Sequence, residues 1–279
     1  MMTLLAQRTV LSLSLSLTAL VCAGAFCADA AAADCQSRVY DLLRAAYPGS
    51  VGETGDEGEL LRTAGSRTRW INLGEVSCKV WPASPDKTLL AVRLRHQAAT
   101  GIDSDTADLE VLVADSARPR ILQRYREDEA LQSDAVRISS LTLDTARYRL
   151  NENTTAFGVR IGYTGSSRAN PYGSTVMNLY VADGARLRPV LSKLEVSKER
   201  GEWDTNCAGE FENVQRTVAI DAKRDHGYAG LRINSVEESS RNEADGKDCN
   251  EVPGPTRKNS VRLAYDGREY AVPDDLRGL

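Results

Sequence analysis

Side chains able to drive covalent chemistry are sparse in this chain. Two histidines occur in 279 residues, His96 in "LRHQ" and His226 in "RDHGY". A Ser-His-Asp or Cys-His set needs an imidazole to take the nucleophile's proton, so it would have to use one of these two. Both read as loop positions. No Gly-x-Ser-x-Gly elbow, His-Glu-x-x-His zinc helix, phosphate-cradling Gly-x-x-x-x-Gly-Lys or dinucleotide fingerprint occurs. Carboxylates are plentiful, and a glycosidase pair stays open on composition alone, because so many acids always bring some pair close. "DSDTAD" (Asp103, Asp105, Asp108) has oxygen ligands suited to calcium but lacks the rest of a recognised loop, so a solvated acidic turn is expected there. The sequence therefore predicts no catalytic residue, no bound metal and no cofactor.

The cysteines point to a different use. Cys22 and Cys27 fall in an N-terminal leader, which leaves Cys35, Cys78, Cys207 and Cys249, an even set. No Cys-x-x-Cys spacing exists, and neither histidine has a ligand partner nearby in sequence, so disulfides are favoured over zinc. Four cysteines permit three pairings, and the sequence-local one, Cys35–Cys78 with Cys207–Cys249, is expected. Loops of that length each contribute about 4 kcal/mol in the chain-entropy picture. Trp81 and Trp203 stand close to cysteines and read as packing beside the bridges.

The leader has the layout of a cleaved secretory signal, expected over residues 1–30. Arg8 is its one positive residue, an uncharged run extends from Thr9 to Ala28, and small residues follow. Candidate cleavage points lie after Ala25 and after Ala30. The middle is diluted by Ser and Thr and is shorter than the roughly 20 apolar residues a membrane span needs. The expected address is the periplasm, with no membrane span in the mature protein. Loss of Arg8 and Asp29 removes one charge of each sign and leaves the net charge at -4. A weakly acidic chain gains nothing from phosphate attraction, so nucleic acid is set aside as a partner.

The elements that must carry any site are repeated. "TLLAVRL" (88–94) with "VADSARPRIL" (113–122) is matched by "TAFGVRI" (155–161) with "VADGARLRPVL" (181–191). A fainter third copy runs from "YAGLRI" (228–233) to "VRLAYDGREYAVP" (261–273). The strand before each unit recurs as "LTLDTA" (141–146) and "VAIDAK" (218–223), with "INLGEV" (71–76) as the weak first version. In "DLEVLVAD", Leu109, Val111 and Val113 share one face and Asp108, Glu110 and Leu112 the other, the period of a strand. Asp-Gly turns suit two-residue hairpins. Helical periodicity is confined to "CQSRVYDLLRAAY", with Asp34 as cap, Val39, Leu42 and Leu43 on one stripe, and Pro48 as terminator.

The expected fold is all-β: an antiparallel sandwich or stacked small sheets built from about three repeated units, with a short N-terminal helix. A propeller-like array is the rival, though propellers use four or more blades. Residues 31–60 are expected to hold the helix and a mobile acidic, Gly-rich linker, "GSVGETGDEGE", and residues 61–279 the repeated domain. The longest loop of each unit is placed after the "VR" strand, at 96–107, 163–174 and 234–259. Recognition loops on a rigid β scaffold are a common solution for binding. In the middle loop, Arg168, Asn170 and Tyr172 stand on a Pro- and Gly-restrained frame and are the candidate partner-binding residues, Arg and Tyr being enriched at interface hot spots.

"TTAFGVRIGYTG" with "LYVADGARLRPVLSKLE" resembles stretches of bacterial envelope proteins, some of them similar to the periplasmic immunity partners of antibacterial toxins delivered between cells. The resemblance covers about residues 150–195 and carries over no site residue. It implies a non-enzymatic inhibitor that blocks a cognate toxin, such as a lipase, phospholipase or peptidoglycan hydrolase. An envelope module binding a small ligand or glycan, or an unrecognised hydrolase, are the alternatives.

Overall fold

The computed structural model describes residues 35–55, 58–98, 101–246 and 248–279, and it leaves aside the side chains at 97–98 and 101–105. The expected leader and the cap Asp34 lie outside the described residues. The described residues are almost entirely antiparallel β, with one short α-helix ahead of the strands. That helix, α1 (Val39–Ala46), buries Val39, Leu42, Leu43 and Ala46 on one stripe. It closes where the Tyr47 N–H donates to the Leu43 carbonyl, ahead of Pro48, whose missing N–H cannot extend the ladder. No helix among the described residues is long and apolar enough to cross a membrane.

Two four-stranded meanders follow. The first runs β4 (Ser77–Val80), β5 (Lys87–Ala98), β6 (Gly101–Asp115) and β7 (Ile121–Gln132); the second runs β8 (Val136–Arg149), β9 (Thr155–Gly165), β10 (Tyr172–Asp183) and β11 (Arg186–Trp203). A third unit pairs β12 (Gly209–Asp225) with β13 (Tyr228–Asp245), which also pairs with β14 (Asp248–Pro253) and β15 (Arg257–Leu263). Hydrogen bonding runs on from unit to unit, through one parallel bridge between β7 and β11 and a seven-residue antiparallel ladder between β11 and β12.

Stacking of the units explains why their central strands are apolar on both faces. Leu90, Val92 and Leu112 pack beneath α1. The opposite face of the same sheet, with Leu89, Leu109 and Val111, meets Phe157, Val159 and Tyr180 of the second unit. The second unit's other face, with Met177, Leu179 and Leu194, meets Leu231, Ile233 and Leu263 of the third. Val92, Val159 and Leu231 occupy the same place in "AVR", "GVR" and "GLR", and each is fully buried against the layer before it. Cys35–Cys78 ties the start of the helix to β4, and Cys207–Cys249 closes the third unit.

The register shows what the repeated letters do. Asp144 stands opposite Gly158, and Asp221 opposite Gly230. The Asp144 carboxylate accepts the N–H of Ala146 at 2.9 Å and both Nε and Nη2 of Arg160, at 2.8 and 2.6 Å. Asp221 accepts the N–H of Lys223 at 2.9 Å and the guanidiniums of Arg232 and Arg262. In both cases the strand register shifts immediately after the aspartate. Glycine makes room for the pair, since a Cβ on Gly158 would lie 3.0 Å from the Asp144 Cβ and one on Gly230 would lie 2.7 Å from Arg262 Nη2. In the first unit Ser77 faces Ala91 at this place, so no carboxylate stands opposite the small residue.

Two expectations are corrected. The segment read as a mobile linker is paired: β1 (Val51–Gly55) and β2 (Gly58–Arg62) form a hairpin, with β2 against β3 (Trp70–Asn72). Leu60 and Leu61 are its buried anchors, and its glycines lie on the exposed side, where no apolar alternation marks a strand. The loops expected at 96–107 and 234–259 are largely strand as well, since β5 and β6 extend to Ala98 and Gly101 and the second stretch holds β13, β14 and the start of β15.

Candidate functional site on the distal ribbon

Beyond the stacked cores, the far ends of β11, β12 and β13 continue with β14 as a twisted ribbon. The rows of cross-strand neighbours are Glu199–Asn213–Glu238, Gly201–Phe211–Ser240–Pro253, and Trp203–Gly209–Asn242–Glu251 on one face. Arg200–Glu212–Ser239 and Glu202–Glu210–Arg241–Val252 alternate with them on the other. Outer β13 is half-exposed or exposed throughout. This part of the sheet therefore has water on both faces and holds its shape by backbone pairing and the Cys207–Cys249 bridge. The bridge ties the β11–β12 turn to β14. In that turn Asp204 Oδ1 accepts the N–H groups of Asn206 and Cys207, both at 2.8 Å.

The middle insertion lies along the ribbon's edge. The Gly201 N–H donates to the Pro171 carbonyl at 3.0 Å and the Trp203 N–H to the Ala169 carbonyl at 2.8 Å. Two hollows result, of about 790 and 860 Å³. Tyr172 and Pro171 border both, and Asn170 borders the larger. Arg168 is exposed and borders neither. The structure thus brings two of the three predicted residues to the ribbon, together with the insertion at 234–259. The first insertion lies elsewhere, on the first unit.

Phe211, Glu199, Glu238 and Glu251 escape sequence reading. Phe211 lies over two glycines: a Cβ on Gly201 would stand 2.5 Å from its Cδ1, and one on Gly209 3.0 Å from its Cε2. An aromatic residue between glycines on adjacent strands, "GEWDTNCAGEF", is the signal that was available. Trp203 shares that face and is half-buried against Gly209. Trp81, by contrast, is a core residue, edge-on to Phe157 at 5.4 Å.

The histidines and the acidic stretch have other partners. Asp108 is fully buried rather than part of a solvated turn. It accepts from Arg69 Nε at 2.8 Å, from Arg126, from the Glu129 N–H at 2.9 Å, and lies 2.6 Å from His96 Nε2. Burial alone would raise its pKa. The bonds from Glu129, His96, Arg69 and Arg126 outweigh that and hold it well below the usual carboxylate range. Asp108 is thereby committed to its four donors. Asp103 and Asp105 lie among the side chains outside the description. His226 holds positive φ in a turn, with Nδ1 3.0 Å from the Tyr265 carbonyl. No group of three or more potential metal-ligating side chains occurs among the described residues. No protein-family model, curated protein or solved structure matches this chain.

Proposed function

We propose that this is a non-enzymatic binding protein of an oxidising extracytoplasmic space, the bacterial periplasm, and that it engages a protein partner through the distal ribbon. The immunity-type reading gives the partner's nature: a secreted antibacterial toxin held inactive by a tight complex. One observation carries the proposal. The second and third insertions converge on a disulfide-pinned ribbon that leaves both its faces open, while the stacked cores provide the rigid base. A rigid scaffold lowers the ordering cost of association. The body's own chemistry is spent inward, on ion pairs such as Asp108 with Arg69 and Arg126 and Glu195 with Arg216.

A standard protein contact buries about 1,600 Å² in total, an area that a ribbon of four strands and its bordering loop can supply. The test uses the mature, disulfide-intact protein. It should protect cells against a periplasmically expressed toxin encoded next to its own gene and should copurify with that toxin at a fixed stoichiometry. Turnover of lipid, peptidoglycan or glycan substrates by the purified protein would overturn the reading.

A further inference from the structure

We infer that the ribbon face carrying Phe211 binds a basic segment of the protein partner, seating a guanidinium or ammonium group over Phe211 between Glu199, Glu238 and Glu251. The inference rests on the protein-binding reading above and names the chemistry of the bound segment.

The face is unpartnered, and its charge is one-sided. Its hollow of about 790 Å³ is bordered by four glutamates and a single arginine, Arg200. Arg200 is already spent on Glu212. Glu199, Glu238 and Glu251 have no ion pair among the described residues. Glu199 and Glu238 flank Asn213 in one register row, two strands apart or about 10 Å at ordinary strand spacing. That gap admits a guanidinium with a carboxylate on each side. Phe211, held flat by the absence of side chains on Gly201 and Gly209, offers the aromatic surface on which a cation is attracted to the ring's negative face. Asn213, Ser240 and Asn242 add amide and hydroxyl acceptors on the same face.

The reverse face lacks this selectivity. By register it carries Arg200 and Arg241 among Glu202, Glu210, Glu212 and Glu237, so charges of both signs compete there. A basic segment is therefore attracted to one face in preference to the other. Charge complementarity of this kind raises association rate and chooses partners more than it adds raw affinity, which suits an inhibitor that must find one toxin.

The probe is a blocked tri-arginine peptide titrated into the disulfide-intact protein and followed by two-dimensional amide NMR, with tri-glutamate as control. Saturable, salt-sensitive shifts are expected for residues 199–203, 209–213 and 238–242 with the arginine peptide alone. The triple variant E199Q/E238Q/E251Q should weaken binding at least about tenfold, the combined effect of three modest charge pairs, and F211A should weaken it too. E202Q/E210Q/E237Q makes the same change of net charge on the reverse face and should leave binding unchanged. Thermal midpoints should be unaltered in both triple variants, which keeps folding out of the comparison. Absence of saturable shifts, shifts confined to the reverse face, or equal loss in both triple variants would overturn the inference. If E199Q/E238Q/E251Q still protects against the toxin as well as the wild type, the site is wrong but protein binding stands. If the wild type neither protects nor copurifies with the toxin, the underlying reading has failed.

Discussion

Replacing Asp108 with Asn tests whether the buried ion cluster holds the first unit together. The Asp108 side chain is completely buried, that of Arg69 is 12% exposed and that of Arg126 34%. The two carboxylate oxygens divide the work: Oδ1 serves His96 and the Glu129 N–H, and Oδ2 serves Arg69 and Arg126. An asparagine of the same shape keeps one oxygen and turns an NH₂ toward the other pair of donors. Two bonds to a charged acceptor are then lost, at about 1.5–3 kcal/mol each, which agrees with the roughly 3–5 kcal/mol for breaking a buried pair on one side. Urea unfolding at neutral pH should therefore show D108N less stable by about 4 kcal/mol, a large share of the roughly 5–15 kcal/mol that holds a domain. The pH dependence carries the sign of a depressed acid. The contribution of Asp108 is fully present above the unfolded value of about 3.9 and is lost as pH falls below it toward the lower folded value. The gap between wild type and D108N should narrow in that acid range. A variant within about 1 kcal/mol of wild type at pH 7, or a gap that widens on acidification, would refute the reasoning.

Three further outcomes are expected. Gly158→Ala should cost about 1–3 kcal/mol by thermal or urea unfolding, because its Cβ would press on the Cβ of Asp144 from a fully packed strand. Tyr47→Phe removes the 2.8 Å bond from the Tyr47 hydroxyl to the buried Glu110 and should cost about 1–2 kcal/mol in the same assay. The double replacement C207S/C249S should speed amide exchange over 198–217 and 234–253 while leaving the protection of 88–94 intact. Uniform loss across the chain would show instead that the bridge stabilises the whole molecule.

The sequence made some of this legible, for physical reasons. Strands packed on both sides, such as Leu89–Leu94 and Leu109–Ala114, are apolar almost throughout, interrupted once each by Arg93 and Glu110. Proximity in sequence correctly indicated the cysteine pairs. The recurring Asp and Arg letters could be seen, but not that they pair across a glycine at a register shift. The ribbon was hidden because a strand wet on both faces, such as "NSVEESSRNEAD", has no apolar period to read. The hairpin at β1 and β2 was hidden for the same reason. Asp108 was misjudged because its cationic partners, Arg69 and Arg126, lie 39 and 18 residues away in sequence, while the charged residues near it, Asp103, Asp105 and Glu110, are acids. Arg168 was chosen for its residue type and its place in the middle insertion, and neither shows which side of a loop faces the ribbon.

The measurement that bears most directly on the central claim is site-specific photo-crosslinking in cells. A benzophenone side chain is placed at Asn213 or Asn242 on the Phe211 face of the ribbon, and at exposed Glu152 on the body. The account predicts one adduct of defined mass from each ribbon position, identified by mass spectrometry as the toxin, and none from Glu152. Adducts from Glu152 with none from either ribbon position, in cells that the protein still protects, would contradict it.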